Sequence, residues 1–357
     1  MSTAVAARSN TTGAQLWAML GRSGSIAQIY QDGDPAAGVD PRRLGELLAT
    51  VDETSTIGAT LAVCVQLATA VPLLATGGET ARQVLLRALD GDSLVALAAT
   101  DEAAGSDLTA LATEVRIEEA GIEVHGTKKW ITNATCADEI LVLARHRHGR
   151  HFANFTWILV PASAPGVQVE SADTELFDGS GTGHIHFDHV RLPRDRLVGR
   201  VGRGLPAFAT HIAVERLAGA LWGVALCRRV LADTKQRLLA RPHGGATLWQ
   251  MDSVRQRFAV CLVRTRQLHA LTCELMDRVA VRHDTTAAAM LKSSVADTLD
   301  HVLGECGHLQ GAEGFSSTGA QKLRAQAALF GVGGGATEVV LSVVGDNADA
   351  VLEELSP

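Results

Sequence analysis

The stretch TDEAAGSD, Thr100 to Asp107, followed two dozen residues later by KKWITN, Lys128 to Asn133, organises the reading of this chain of 357 residues. The first piece is turn chemistry, because Gly105, Ser106 and Asp107 combine backbone freedom with side chains that bond their own main chain. The second places Trp130 and Thr132 among residues that favour a pleated, half-buried strand. Between them, Val115 and Ile117 face Ile122 and Val124 across an Ala120-Gly121 turn, which predicts a β-hairpin joining the two pieces.

Working outward, the period of two continues through Ile140-Val142, Trp157-Leu159, Val167-Val169 and Ile185-Phe187 to about Pro193. On either side the period is helical. Arg42, Leu44, Leu47, Leu48 and Val51 sit at helix spacing, and Gly77-Gly78 and Gly91-Asp92 punctuate the helices before the strands. After the Gly199–Gly204 turn, Leu217, Leu221, Val224, Cys227, Leu231 and Leu238 form one apolar stripe. Val254, Phe258, Cys261, Leu268, Leu271, Leu275 and Val279 form a second, and residues 288–309 and 319–330 suggest two more helices. The expected fold is therefore α+β and multidomain: a helical domain over 1–96, an antiparallel β-barrel over 97–203, and a four-helix bundle over 204–357.

A formal net charge of −7 and a pI near 6.0, with acidic and basic residues interspersed, give no electrostatic footprint for nucleic acid or anionic membrane. The most apolar stretch, Leu61 to Ala75, contains Gln66, Thr69 and Pro72 and is read as too short to span a bilayer. The start, MSTAVAARSNTTG, lacks the apolar core of a secretory signal, so a cytoplasmic location is expected. Six scattered cysteines form no C-x-x-C pair and are expected to be free, buried thiols. Histidines cluster at 146, 148 and 151 and at 184, 186 and 189, but no carboxylate or thiol is spaced along the sequence to complete a ligand set, and no metal is expected. The glycine-rich pieces 179–183 and 331–336 lack the strand, turn and helix context of a dinucleotide or P-loop site.

The paired segments, in this order and around a hairpin, resemble the flavin-binding signature of the acyl-CoA dehydrogenases, and the resemblance runs over nearly the whole chain, weakest before residue 55. It implies FAD. By that resemblance Leu97, Ala99 and Thr100 lie along the flavin ring, Gly105 and Ser106 offer donors to the pyrophosphate, Trp130 packs on the isoalloxazine and Thr132 bonds near N5. Trp130 taken alone would read as an ordinary core aromatic. The family completes its FAD site from a neighbouring subunit, which implies a homodimer or homotetramer. Its Arg-x-x-Phe-Gly stretch appears here as Arg241-Pro242-His243-Gly244-Gly245, keeping Arg and the last Gly. Its Gln-x-x-Gly-Gly-x-Gly-Phe segment appears as His308 to Phe315, with Gly311 retained and His308 and Ala312 in place of Gln and the second Gly.

Oxidation of a saturated thioester between Cα and Cβ needs a carboxylate to take the Cα proton. Most of the family place it in a Tyr-Glu-Gly-Thr loop, which here reads Gly333-Gly334-Gly335-Ala336, so that Gly334 keeps only the backbone of the substrate loop. A second branch carries the base on the first long helix of the bundle, directly before an Arg, and this chain has Glu215-Arg216 there. The interval of 29 residues from Arg216 to Gly245 preserves the family register. Glu215 is thereby implied as the base, with Arg216 structural or tuning it, and Glu313 and Glu338 as weaker candidates; a surface carboxylate beside an arginine is the bland reading. The expected function is FAD-dependent oxidation of an acyl thioester on CoA or an acyl carrier protein, in secondary-metabolite or extender-unit biosynthesis. A flavin monooxygenase or N-oxygenase on the same fold, and a degenerate binding protein, are the alternatives.

Overall fold

Turn and capping chemistry sets the boundaries of the first helices. In the computed structural model, which describes residues 11–356 apart from Ala103, Thr12 and Gln15 cap the helix Gly13–Arg22 reciprocally. Asp40 accepts from Arg42 and Arg43 at the start of Pro41–Thr54, and Thr56 accepts from Ala59 at the start of Ile57–Val65. The first ten residues, on which the signal-sequence reading rests, and Ala103 of the opening motif lie outside the described residues.

Ile57–Val65 does not stop at the polar residues that follow. It continues through a π-helical turn, Gln66–Ala70, into Val71–Leu74. The apolar segment is thus 18 residues long, enough by length and composition to cross a membrane, but 94% of it is buried inside the protein. It is a core helix. The shorter span read from the sequence broke it at Leu61 by hydropathy alone.

The chain divides into two compact units, one holding the described residues through Leu44 together with Thr54–Glu215, the other Gly45–Glu53 and everything from Arg216 onward. In the first unit eight strands form one sheet: β1 Val95–Ala98, β2 Glu114–Glu118, β3 Gly121–Ile131, β4 Glu139–Arg145, β5 Phe155–Pro161, β6 Val167–Ser171, β7 Gly183–Leu192 and β8 Leu197–Val198. The order is β6-β7-β3-β2-β4-β5-β8, with β1 beside β4. The hairpin register matches expectation, Val115 opposite Val124 and Ile117 opposite Ile122, although Glu119 and Ala120 form the turn and Gly121 already pairs with Glu118.

The expected closed antiparallel barrel is corrected. The sheet is open, ending at β6 and β8, and it is mixed, because β1 runs parallel to β4 and β2 also meets β4 in parallel. Alternation reports which residues face the core, here Val115, Val124, Ile140, Val142, Ile158, Ile185, Phe187 and Val190, but carries no information on which edges meet.

In the second unit the central element is Thr285–Leu309, whose Ala288, Leu291, Val295, Leu299, Val302 and Leu303 are all buried. It packs on Asp252–Arg282, Ala320–Ala327, Leu329–Val332 and Thr337–Asp346. Asp252–Arg282 buries the expected stripe of Phe258, Cys261, Leu268, Leu275 and Val279, with Val254 and Leu271 half-buried. The chain continues into further helices, Thr337–Asp346 and Ala348–Glu354, beyond the four expected. The cysteines are all free, with Cys64, Cys227, Cys261 and Cys306 buried, but Cys136 and Cys273 are exposed.

The least substitutable polar group in this unit is Asp52, fully buried. Its carboxylate accepts from Arg229 Nε at 2.6 Å, Arg229 Nη2 at 3.1 Å and Trp222 Nε1 at 3.0 Å. Removing one partner of a buried ion pair leaves the other charge desolvated and uncompensated. Asp52→Ala should destabilise the fold by about 3 kcal/mol, read as a lowered urea midpoint.

Candidate functional site

The two motif segments are stitched together by main-chain bonds and one buried amine. Lys128 Nζ donates to the Ala99 carbonyl at 2.9 Å. Lys129 N donates to the Thr100 carbonyl at 3.3 Å, and Thr100 Oγ1 donates to the Lys129 carbonyl at 3.0 Å. Lys128 is wholly buried, and burial pushes its amine from 10.5 down to about 7, with the Asp101 carboxylate opposing. Asp101 in turn accepts from Ala104 N, Ala112 N, Thr113 N and Thr113 Oγ1 at 2.8–3.2 Å. The loop therefore curls round one carboxylate and leaves Gly105, Ser106 and Asp107 exposed, with no heavy atom within 4 Å of where a Gly105 Cβ would stand.

Trp130 is not a core aromatic. It is 57% exposed and has φ +57°, a left-handed conformation that costs a bulky residue on the order of 1–3 kcal/mol. Its backbone N–H donates to His184 Nδ1 at 3.1 Å, and the two rings meet edge to face at 5.4 Å. The next residues lock this shape. Thr132 is half-buried on the turn, and Asn133, fully buried at φ +67°, donates its side chain to the Ala62 carbonyl and its backbone N–H to the Ser180 carbonyl. The glycine-rich piece 179–183 thus braces this turn. Asn133 Oδ1 and Gln66 Oε1 are buried with no partner. Leu97 is half-buried, and Ala99 is 7% exposed.

Glu215 lies on the long helix Gly204–Ala240 and is half-buried. Thr69, fully buried in the π-helical turn, donates Oγ1 to Glu215 Oε2 at 2.5 Å. From the same turn Gln66 Nε2 donates to the Val95 carbonyl of β1, two residues before Leu97. Burial pushes the Cys64 thiol up, and the Glu215 carboxylate pushes it further. One short irregular stretch therefore contacts both the strand that opens the first motif and the candidate base. Glu215 is no solvated surface carboxylate.

In the second unit, Arg216 donates from Nε and Nη2 to the Gly334 carbonyl at 3.0 and 2.9 Å, and Lys292 Nζ donates to the Gly331 carbonyl at 2.7 Å and to Thr337 Oγ1 at 3.0 Å. Burial first, then Arg216, lowers the Lys292 amine to about 8, with Glu338 opposing. Two cations thus hold the glycine loop by its carbonyls. Gly334 and Gly335 take φ +70° and +103°, shapes that a side chain would strain. Arg241 is exposed, and its Nη1 lies 3.5 Å from the Gln310 carbonyl. Gly311 takes φ +61°, which a side chain would strain, and a Cβ there would stand 2.9 Å from the flexible end of Arg241 at Nη1. His308 and Ala312 are exposed beside it, as is Glu313.

Sequence reasoning missed Lys128, Asp101, Gln66, Thr69 and Lys292. The signal for Gln66 and Thr69 was present, since polar residues in an 18-residue apolar helix must find partners or stay unpaid for. Of the histidines, His184 meets Trp130, His186 Nδ1 lies 3.0 Å from Thr127 Oγ1, and His189 lies beside His125 and Glu123.

Trp130 thus presents an exposed indole in a costly conformation beside His184, and the Gly105–Asp107 turn of the other motif is exposed. Residues 96–190 match the middle domain of the acyl-CoA dehydrogenases, and residues 202–348 match their C-terminal domain. The chain belongs to the acyl-CoA dehydrogenase family and is an FAD-dependent oxidoreductase of acyl groups. It is 32% identical over 342 residues, 92% of its length and 85% of the relative's, to an acyl-[acyl-carrier-protein] dehydrogenase, MbtN, of Mycobacterium sp. (strain MCS). Its fold is similar to that of the FAD complex of PigA, with a TM-score of 0.87 at 19% identity over 95% of this chain and 90% of that one. It also resembles the glutaryl-coenzyme A dehydrogenase glutaryl-CoA complex, with a TM-score of 0.85 at 17% identity over 96% and 89%.

The Lys128 amine gives a measurable handle on the junction of the two motifs. Its proton is held less tightly in the folded chain than in the unfolded one. Between about pH 7 and 10.5 the unfolded chain therefore binds more protons, and stability contributed through Lys128 rises with pH. Below pH 7 the cost of the buried charge is fully present. In Lys128→Met this component, at most about 1.4 kcal/mol per pH unit, should vanish, which urea denaturation of both proteins at pH 7 and 9 will show.

Proposed function

We propose that this chain oxidises an acyl thioester to the α,β-unsaturated thioester, with Glu215 as the base. The observation that carries this reading is a half-buried carboxylate pinned by a buried threonine on one side of the chain, in a protein whose glycine loop supplies no carboxylate. Glu215 takes the Cα proton, and Thr69 holds one of its oxygens so that the carboxylate keeps its orientation before and after transfer. FAD, when bound, accepts the hydride leaving Cβ, so that the two C–H bonds broken become one C=C bond.

Trp130 supplies the flavin's aromatic wall, and Thr132 a hydroxyl near it. Leu97 and Ala99 lie along the ring. Thr100 has given its only hydroxyl proton to the Lys129 carbonyl, so toward the flavin edge it acts as an acceptor. Gly105 and Ser106 offer pyrophosphate donors. The likeness to MbtN supports a carrier-protein thioester and a place in secondary-metabolite biosynthesis, and a cytoplasmic setting suits both.

Arg241, braced against Gly311, serves the flavin of a neighbouring subunit, with His308 and Ala312 beside it. The 78% exposed Phe315 four residues after Gly311 and the exposed Val260, Leu262 and Val263 on Asp252–Arg282 suit a subunit interface. Light scattering should find the FAD-loaded protein as a homodimer or homotetramer; a loaded monomer removes Arg241 from the site.

Glu215→Gln retains shape and hydrogen bonding but not basicity. Flavin reduction by an acyl thioester, followed by anaerobic stopped flow, should slow by about 100-fold or more with FAD content unchanged. Thr69→Val should slow it by about tenfold, through loss of one hydrogen bond to a charged group. An unaltered rate in Glu215→Gln would assign the proton transfer elsewhere.

A further inference from the structure

A histidine, an aspartate and a second histidine converge on the exposed face of the sheet, and their convergence follows from an irregularity in strand pairing. β3 and β7 pair Val124 with Val190 and Gly126 with Phe187. Between those pairs one residue of β3, His125, faces two of β7, Asp188 and His189. Regular alternation would send Asp188 and His189 to opposite faces. Here the extra residue turns both outward, and Asp188 and His189 are exposed while the flanking Phe187 and Val190 are buried. His189 takes φ +48° to do so. A non-glycine residue in that conformation is uncommon and concentrates where function or tight geometry requires it.

We propose that His125, Asp188 and His189 form a binding site for a divalent transition-metal ion, Zn²⁺ in the first place. One ligand atom from each lies within 4.8 Å of the other two. Glu123 completes the arrangement from behind, its Oε1 3.1 Å from His189 Nδ1 and its Oε2 accepting from Arg191 Nε at 3.1 Å. A carboxylate that accepts a hydrogen bond from Nδ1–H leaves the Nε2 lone pair for a metal, the outer support that metal-binding histidines commonly have. Two imidazoles with one carboxylate favour Zn²⁺ and its neighbours over Mg²⁺ or Ca²⁺, which prefer all-oxygen sites. Three protein ligands leave a position for water.

The rings of His125 and His189 are stacked at 4.4 Å and 22°, and both side chains are exposed and able to turn their nitrogens toward a shared ion. His186 is held by Thr127 and stays outside the set. Sequence spacing hides this site because His125 precedes Asp188 by 63 residues and because the bulge breaks the period of two. A metal here would clamp β3 to β7, the strand pair that also carries Trp130 and His184.

The test is calorimetric titration of the FAD-loaded protein, freed of metal by chelation and dialysis, with Zn²⁺ and separately with Mg²⁺. One equivalent of Zn²⁺ per chain and no Mg²⁺ binding are expected. His125→Ala and Asp188→Asn should each weaken Zn²⁺ binding by about tenfold or more, and Glu123→Gln by about tenfold through loss of the outer support. His283→Asn, at an exposed histidine of the second unit, should leave it unchanged. Circular dichroism of each variant separates lost ligands from lost fold, and Co²⁺ substitution should give visible absorption bands that Asp188→Asn abolishes. Absence of saturable Zn²⁺ binding overturns the proposal. So does binding that survives both ligand substitutions, which would belong to an exposed thiol such as Cys136 or Cys273.

Discussion

A buried amine reaching one backbone carbonyl holds the two motif segments of this protein in register. Lys128 lies at a fully buried position on β3 and donates to Ala99, at the end of the run that follows β1. A desolvated lysine is costly unless bonded, and its cost is lowered by an amine that loses its proton near neutrality while still donating a hydrogen bond. Because β1 pairs with β4 and not with β3, few ladder bonds tie the first motif to the second. Lys128 and the two bonds between Thr100 and Lys129 take the place of that ladder, while Asp101 gathers four bonds from the segment that follows it.

The π-helical turn Gln66–Ala70 is the second organising constraint. A wider turn rotates the residues after it relative to those before, and such turns recur at functional positions. Here it lets one buried helix satisfy two distant polar groups, the Val95 carbonyl through Gln66 and the Glu215 carboxylate through Thr69. The apolar character that makes the segment resemble a membrane span is what seals the carboxylate from water on that side.

The hairpin register was legible because a short turn and alternating Val115, Ile117, Ile122 and Val124 leave little choice of pairing. The helical stripes were legible for the same local reason. The parallel β1–β4 pairing was not, since it joins strands separated by 40 residues, and alternation does not encode that choice. Trp130 was recognised by its neighbours in sequence, but its exposure and positive φ are properties of the fold. Glu215 was placed by its register to Gly245, whereas its partner Thr69 lay hidden as one polar residue in an apolar run. His125 and Asp188 were invisible as a pair for want of any local signal of the bulge.

Glu215 and Arg216 are consecutive, and on a helix consecutive side chains diverge by about 100°. One is held by Thr69, and the other grips the Gly334 carbonyl. The carboxylate contact and the loop contact thus fall to neighbouring residues with separate dependencies. Insertions or substitutions in 331–336 can remodel that loop during divergence without moving the carboxylate, and drift in the π-helical turn can retune the carboxylate without disturbing the loop. Two consecutive helix positions thereby keep separate partners, Glu215 depending on the π-helical turn and Arg216 on the glycine loop.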